Sequence, residues 1–255
     1  MIQKYYSINK SEGQTPLEAL ETLRSREGID VLVPMTYAGR LDPMAEGLLL
    51  ILVGDECKNK DKYLGLDKEY EIEVLVGISS DTGDILGIVK KQAEISDFRF
   101  ENLSKELIGS KVAELVGRRF EKYPAFSSKP IDGKPMFVHA KEGTLAEMNN
   151  DEVPQKEIEI YSIDLIGTEI IEQTKLVEIA LSRINKVKGD FRQDKIINSW
   201  QSLHDANVKF SAIKLRVKAS SGAYMRTLAQ KLGESLGTKA LAWKIKRIKI
   251  GQYSL

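Results

Sequence analysis

Glu69, Glu71 and Glu73 interleave with Tyr70, Ile72, Val74, Val76 and Ile78. A two-residue period sends successive side chains to opposite faces of a strand, so this segment must lie half-buried in a sheet. The same alternation recurs over Lys156 to Ile166 and Phe210 to Ala219, and a basic strand is predicted over Lys244 to Ile250. The apolar run Leu48 to Val53, closed by Gly54-Asp55, reads as a buried strand, and Tyr5 to Ile8 as a short one. Asp81-Thr82-Gly83-Asp84 has turn chemistry and would let Ile85 to Lys90 return beside the acidic strand.

Helices are signalled between these strands. Thr15-Pro16-Leu17-Glu18 carries an N-cap hydroxyl, a proline at the first helical position and a glutamate three residues after the cap. Leu17, Leu20 and Leu23, with Ala19, give that helix an apolar stripe, and Gly28 ends it. Further helices are predicted over Asn102 to Val116, from the end of the Tyr123 to Pro135 loop to Gly143, over Leu176 to Asn185, and over Ala223 to Leu236. Strands and helices do not alternate as βαβ units. The expected fold class is therefore α+β: one domain with a large mixed, mostly antiparallel sheet flanked by helices and loops.

Composition narrows the function classes. The chain has 255 residues, 42% apolar and 29% charged, which is ordinary for a folded domain. A single cysteine, Cys57, excludes an intramolecular disulfide, and two distant histidines, His139 and His204, make a zinc site improbable. The longest apolar run is far too short for a membrane span, and the N-terminus has no secretory apolar core, so a cytoplasmic setting is expected. The net charge of +1 hides an asymmetry: Asp205 to Leu255 holds eleven basic and two acidic residues. A basic C-terminal fifth suits an anionic partner, although a solvated charged face would give the same count.

Three segments could carry chemistry. In Gly39-Arg40-Leu41-Asp42-Pro43, Asp42 lies in a glycine-punctuated loop that leads into a buried strand. That would hold a carboxylate rigid and reachable; Asp-Pro is also plain turn chemistry. Tyr70, at the start of the acidic strand, could stack on a base and offer its phenol, or could simply pack in the core. Gly222-Ala223-Tyr224-Met225-Arg226 opens a helix, where Arg226 could clamp a carboxylate with two parallel hydrogen bonds or sit on the surface. No serine triad, phosphate-cradling P-loop or dinucleotide glycine motif is present.

Taken in order along the chain, these segments resemble the TruB family of tRNA pseudouridine synthases. INKSEGQTPLEAL is similar to the family's opening lysine-glycine-threonine segment, and AGRLDPMAEGLLLILVGDECK to its catalytic loop. KEYE, YPAFSSKPIDGKPMFVHAKEG and SSGAYMRTLAQKLGESLG resemble three further family motifs, and together the matches cover about 1–145 and 210–255. The resemblance implies the pseudouridine synthase fold and an isomerase acting on the T-arm uridine of tRNA without metal or cofactor. By it, Asp42 is the catalytic aspartate, Tyr70 the tyrosine that stacks on the uracil, and Arg226 the partner of the aspartate. Tyr224 would contact substrate, Ile245 would pack near the flipped base, and Lys10 falls on the opening lysine. Lys214, Arg216, Lys218, Lys244, Lys246 and Arg247 would touch the RNA backbone.

The chain departs from the pattern in places. Tyr37 stands where the family has a histidine and could stack in its stead. Arg40 replaces a threonine, and Gly-Arg-Leu-Asp is the spelling of the ribosomal-RNA synthases of the RsuA and RluA families. Residues 168–205 read as a helical insertion, a lid over the catalytic domain, and the C-terminal PUA-type domain is expected to be missing. A monomer is expected. The competing readings are a ribosomal-RNA pseudouridine synthase, a catalytically idle RNA-binding protein, and an α+β interaction domain.

Asp42→Asn tests the central assignment. Turnover in a tritium-release assay should fall by more than about a thousandfold while RNA affinity by filter binding holds within about twofold.

Overall fold

The computed structural model describes residues 3–90, 103–147, 153–203 and 208–255; Asn102, His204 and Asp205, named above, lie outside them. Strand β1 (Tyr5–Lys10) leads through helix α1 (Pro16–Arg26) to β2 (Met35–Tyr37) and β3 (Ala45–Val53). A 3-10 turn (Gly54–Asn59) and α2 (Lys60–Leu64) precede β4 (Lys68–Val76), β5 (Ser79–Ser80) and β6 (Val89–Lys90). Then come α3 (Lys105–Ala113), β7 (Gly117–Lys122), β8 (Pro130–Ile131), β9 (Lys134–Pro135) and α4 (Met136–Glu142). The last elements are β10 (Gln155–Glu172), α5 (Gln173–Ile184), α6 (Gln193–Gln201), β11 (Lys209–Ala219), α7 (Met225–Ser235), β12 (Ala240–Ile250) and β13 (Tyr253–Ser254).

A nine-stranded sheet runs β1-β3-β12-β4-β11-β10-β7, with β2 beside β3 and β13 beside β12. Every pairing is antiparallel except β12 with β3. The mixed, mostly antiparallel sheet is the expected one. The acidic strand β4 lies in its middle, between β11 and β12. The return strand expected over Ile85 to Lys90 does not pair with β4. Among the described residues its β6 pairs as a strand only with β5, across two residue pairs, because the Asp81 and Asp84 side chains cap the turn and Ile85, Leu86 and Val89 go into a core instead.

Local signals hold at helix starts. Thr15 accepts from the Glu18 N–H (3.2 Å) and the Glu18 carboxylate accepts from the Thr15 N–H (2.7 Å), closing the capping box. Ala19, Leu20 and Leu23 are buried, but Leu17 faces water. It lies about a third of a turn from the centre of their stripe. The third helix is shorter than expected, since Ser104 caps it and it ends at Ala113; Ile108 and Val112 are its buried residues, while Leu107 and Val116 are exposed. Strand β10 extends to Glu172, so residues 168–172, expected to be helical, are sheet.

Two apolar layers flank the sheet. On one face Ile72, Val74, Val76, Ile213, Leu215, Val217 and Ile245 pack with α3 and α7. On the other, Leu75, Phe210, Leu241 and Trp243 pack with Leu176, Ala180, Ile184, Ile196 and Trp200 of α5 and α6. Trp200 is fully buried, donates Nε1–H to the Ile85 carbonyl (3.2 Å) and stacks obliquely on Trp243. Helices α5 and α6 are thus a structural layer, not the expected lid. No helix among the described residues is long and apolar enough to cross a membrane.

Trp200→Ala should therefore cost about 3–5 kcal/mol in urea unfolding, the scale for a large buried aromatic. A lid would tolerate it with less than about 1 kcal/mol.

Candidate active site

Asp42 lies in a loop, 38–44, between β2 and β3, and the loop's main chain is clamped from two sides. Arg247 of β12, almost fully buried, donates Nε–H to the Leu48 carbonyl (2.8 Å), Nη1 to Arg40 (3.2 Å) and Nη2 to Gly39 (3.3 Å). Its opposite number in the β12–β4 register is Tyr70. On the far side, Lys10 of β1 donates to the carbonyls of Gln14 (2.6 Å), Ser11 (3.1 Å) and Pro43 (3.4 Å). The Gly13 N–H reaches the same Pro43 carbonyl at 2.8 Å, and the Ala45 N–H returns to the Asp42 carbonyl at 3.0 Å. Leu41 anchors the loop in the core. With the neighbouring carbonyls occupied and Leu41 buried, the Asp42 carboxylate is left 38% exposed.

Arg226, in the first turn of α7, meets that carboxylate. Its Nε lies 2.8 Å from Asp42 Oδ2, as an ion pair whose N–H does not aim at the oxygen. Nη1 donates to the Thr82 carbonyl (2.8 Å) and Nη2 to the Phe126 carbonyl (3.1 Å). The two parallel hydrogen bonds expected from Arg226 to a carboxylate do not form, because both Nη groups are held by backbone. A second acid, Asp84, stands 3.9 Å from Nε. It is buried and accepts from Thr82 Oγ1 (2.7 Å) and the Leu86 N–H (3.0 Å). Burial pushes its carboxyl up, with Arg226 pulling the other way. Burial works against the Arg226 charge, but Asp42 and then Asp84 outweigh it and hold the guanidinium above its usual range.

Two phenols share this environment. Burial, followed by the Asp42 charge, pushes Tyr224 up to about 12. Burial raises Tyr70 as well, with Arg247 opposing and Asp42 adding. Both hydroxyls therefore stay protonated at neutral pH. Tyr70 packs on the cluster that holds Leu41, Ile72 and Ile245. Tyr224 meets Tyr123 edge-to-face, with ring centroids 6.0 Å apart, and Lys129 Nζ lies 5.5 Å from the Tyr123 ring centre. Asp42 thus meets Arg226, whose guanidinium carbon lies 6.0 Å from the Tyr224 ring centre, while Tyr70 and Ile245 share a core cluster with Leu41, the neighbour of Asp42.

Other predicted residues do not join them as free contacts. Lys10 and Arg247 are buried braces with 0% and 2% exposure, so neither is open to substrate or RNA. Tyr37 packs with the α1 cluster, and Lys60 Nζ lies 5.7 Å from its ring centre. Arg40 is exposed, with only its carbonyl held. Lys214, Arg216, Lys218, Lys244 and Lys246 lie on the sheet face opposite Tyr70. There the register sets Lys214 and Lys244 beside Glu73, Arg216 and Lys246 beside Glu71, and Lys218 beside Glu69. Ion pairs close the pattern outward: Arg216–Glu71 (2.8 Å), Lys214–Glu169 (2.7 Å) and Lys244–Glu46 (3.2 Å). The face is a cross-strand charge ladder, not a positive cleft wall. Sequence reasoning missed Asp84, Thr82 and Phe126. The Asp-Thr-Gly-Asp run was visible, but its turn chemistry gives no sign that it turns inward.

Among the described residues no group of three or more histidine, cysteine, aspartate or glutamate side chains is arranged to hold a metal ion. The model of the TruB family pseudouridylate synthase N-terminal domain matches residues 34–187, more than half of the chain. Relatives named tRNA pseudouridine synthase B include those of Aromatoleum aromaticum (27% identical over 97% of this chain and 63% of that one) and Borrelia garinii (27%, 97% and 70%). The relative from Thermosipho melanesiensis is 26% identical over 98% of this chain and 65% of that one. The chain spans about two thirds of the length of these relatives. In fold it is similar to a chain of the Cbf5-Nop10-Gar1 complex, with a TM-score of 0.57 at 14% identity over 98% of this chain and 49% of that one.

The Lys10 brace carries a pH signature. Burial pulls its ammonium down to about 8, against the opposing charge of Asp42. Between that value and the unfolded value of 10.5 the unfolded chain binds the proton and the folded chain does not, so stability rises with pH. From about pH 7.5 to 10, urea unfolding should show wild type gaining up to about 2 kcal/mol more than Lys10→Met. Equal gains in the two proteins would contradict the brace as described.

Proposed function

This chain belongs to the TruB family of pseudouridylate synthases, and on that premise we propose that it isomerises the T-arm uridine of tRNA to pseudouridine. The observation that carries the reading is the Asp42 carboxylate, partly exposed in a loop fixed on both sides and paired with a buried guanidinium. The reaction breaks the N1–C1′ bond, turns the uracil and joins C1′ to C5; the C5 proton leaves and N1 gains one. The balance needs no outside reactant.

Asp42 acts as an anion, either adding to C1′ or removing the C2′ proton. Arg226 keeps it charged and oriented. Tyr70 faces the freed base, with Ile245 packed behind it, and Tyr224 offers a protonated hydroxyl beside Asp42. The target base must leave its stack, which costs a few kcal/mol that RNA contacts offset. With the basic strands facing away, those contacts fall to cations at the rim: exposed Arg40, Lys129 over the Tyr123 ring, and Lys156 against Gly222. On this reading the enzyme works in the cytoplasm as a monomer.

Arg40 favours a second reading, a ribosomal-RNA substrate, because a cation two residues before the carboxylate meets a phosphate differently from a threonine. Tritium release from unmodified tRNA and ribosomal RNA, with new pseudouridines mapped by sequencing, separates the two. Product at the T-arm position is expected. Product in ribosomal RNA alone would overturn the substrate, and binding without product under excess protein would overturn the enzyme.

A further inference from the structure

Two loops supply the carbonyls that hold Arg226: Thr82 in the 81–88 turn and Phe126 in the 123–135 loop. A second guanidinium grips the same two loops from outside. Arg192, in the turn between α5 and α6, forks onto Asp81 with Nη1 to Oδ2 at 2.8 Å and Nη2 to Oδ1 at 3.4 Å. Its guanidinium carbon lies 4.8 Å from the centre of the Phe126 ring. Thus Arg226 joins the loops through main-chain oxygens, and Arg192 joins them through the Asp81 carboxylate and the Phe126 ring, one residue from the Thr82 carbonyl and on the same residue as the other.

The backbone at Arg192 is held against its own preference. Its φ is +65°, and among the described residues Asp132 alone shares a positive φ without being glycine. A side chain with a Cβ persists there only where its surroundings impose it. They do so here. The Arg192 N–H donates to the Asp190 carboxylate (3.2 Å), and Gln193 donates to the carbonyls of Val187 (3.2 Å) and Gly189 (2.6 Å). Lys141 ties the Asp190 carbonyl to α4 (3.3 Å), and the buried Trp200 packs α6 on Trp243 of the sheet and bonds the Ile85 carbonyl of the 81–88 turn.

We propose that Arg192 is a positioning residue for the Asp42–Arg226 pair: it sets the spacing of the Thr82 and Phe126 carbonyls and so the angle at which Arg226 meets the carboxylate. The inference rests on the reading of that pair as the reacting centre. It also gives the α5–α6 segment a role beyond covering the sheet.

Arg192→Gly separates this from a structural role, because glycine accepts the positive φ without strain while losing both grips. Kinetics on tRNA should show kcat lowered about tenfold with KM within about twofold, a misplacement effect. The melting midpoint should stay within about 2 °C. Arg192→Lys should recover part of kcat, and Lys195→Ala, an exposed cation on α6, should match wild type. In RNA-free protein, hydrogen exchange at the Arg226 Nε–H by nitrogen-15 NMR should quicken at least about tenfold in Arg192→Gly. Unchanged exchange overturns the proposal whatever the kinetics, and quicker exchange with wild-type kcat overturns it too. If Arg192→Gly melts well below wild type, Arg192→Lys and Asp81→Asn decide by the same two readouts. Wild-type protein that turns over no uridine would sink the proposed function instead, while the exchange measurement still judges Arg192.

Discussion

A guanidinium shut away from water needs a partner in nearly every direction it points, since an unpaired buried charge is among the costliest things a fold can contain. Arg226 is 3% exposed, and its surroundings are arranged around that demand. Two turns are drawn in to present carbonyls, and two carboxylates approach the remaining nitrogen. With either acid removed the other still faces the guanidinium, so only loss of both would strand the charge, on the order of 3–5 kcal/mol. The 81–88 turn and the 123–135 loop thus meet at the same end of α7, and the Ala242 N–H of β12 adds a bond to the Gly83 carbonyl of that turn (2.9 Å).

The same rule explains two more of the buried cations. Lys10 and Arg247 take their acceptors from the main chain of the Asp42 loop and its flanks, so each is stabilised by the loop that it stiffens. A loop of this kind has few hydrogen bonds of its own. Its rigidity is borrowed from β1 and β12, strands distant in sequence that flank β3 in the sheet. The charged side chains of the opposite face behave differently. They are exposed to water, each pair is worth at most about 1 kcal/mol, and their alternation strand by strand keeps like charges apart.

The helix caps, the strand over Lys68 to Val76 and the αL glycine at Gly143 were all readable from the sequence, because they depend on residues within four positions of each other. Asp42, Tyr70 and Arg226 could be picked out from motif order, and the structure pairs Asp42 with Arg226. The basic strands misled. Lys214, Arg216 and Lys218 alternate correctly, but alternation says only that they share a face, not which face. Arg247 sits in the same basic run as Lys246, yet it faces inward opposite Tyr70, with the β12–β4 register shifting just after it. Asp84 and Arg192 carried no signal, since what makes them matter is a partner more than a hundred residues away.

By itself the sequence determined the periodicities, the caps and turns, the α+β class, and the side chains whose chemistry suits an acid and its cation. These follow from local sterics and short-range hydrogen bonding. Only the tertiary structure decided that β4 pairs with β11 and β12, that α5 and α6 form a layer against the sheet, and that Lys10 and Arg247 turn inward. Those outcomes depend on which apolar faces find each other and on which buried charges can be satisfied together. No segment of the chain holds that balance alone.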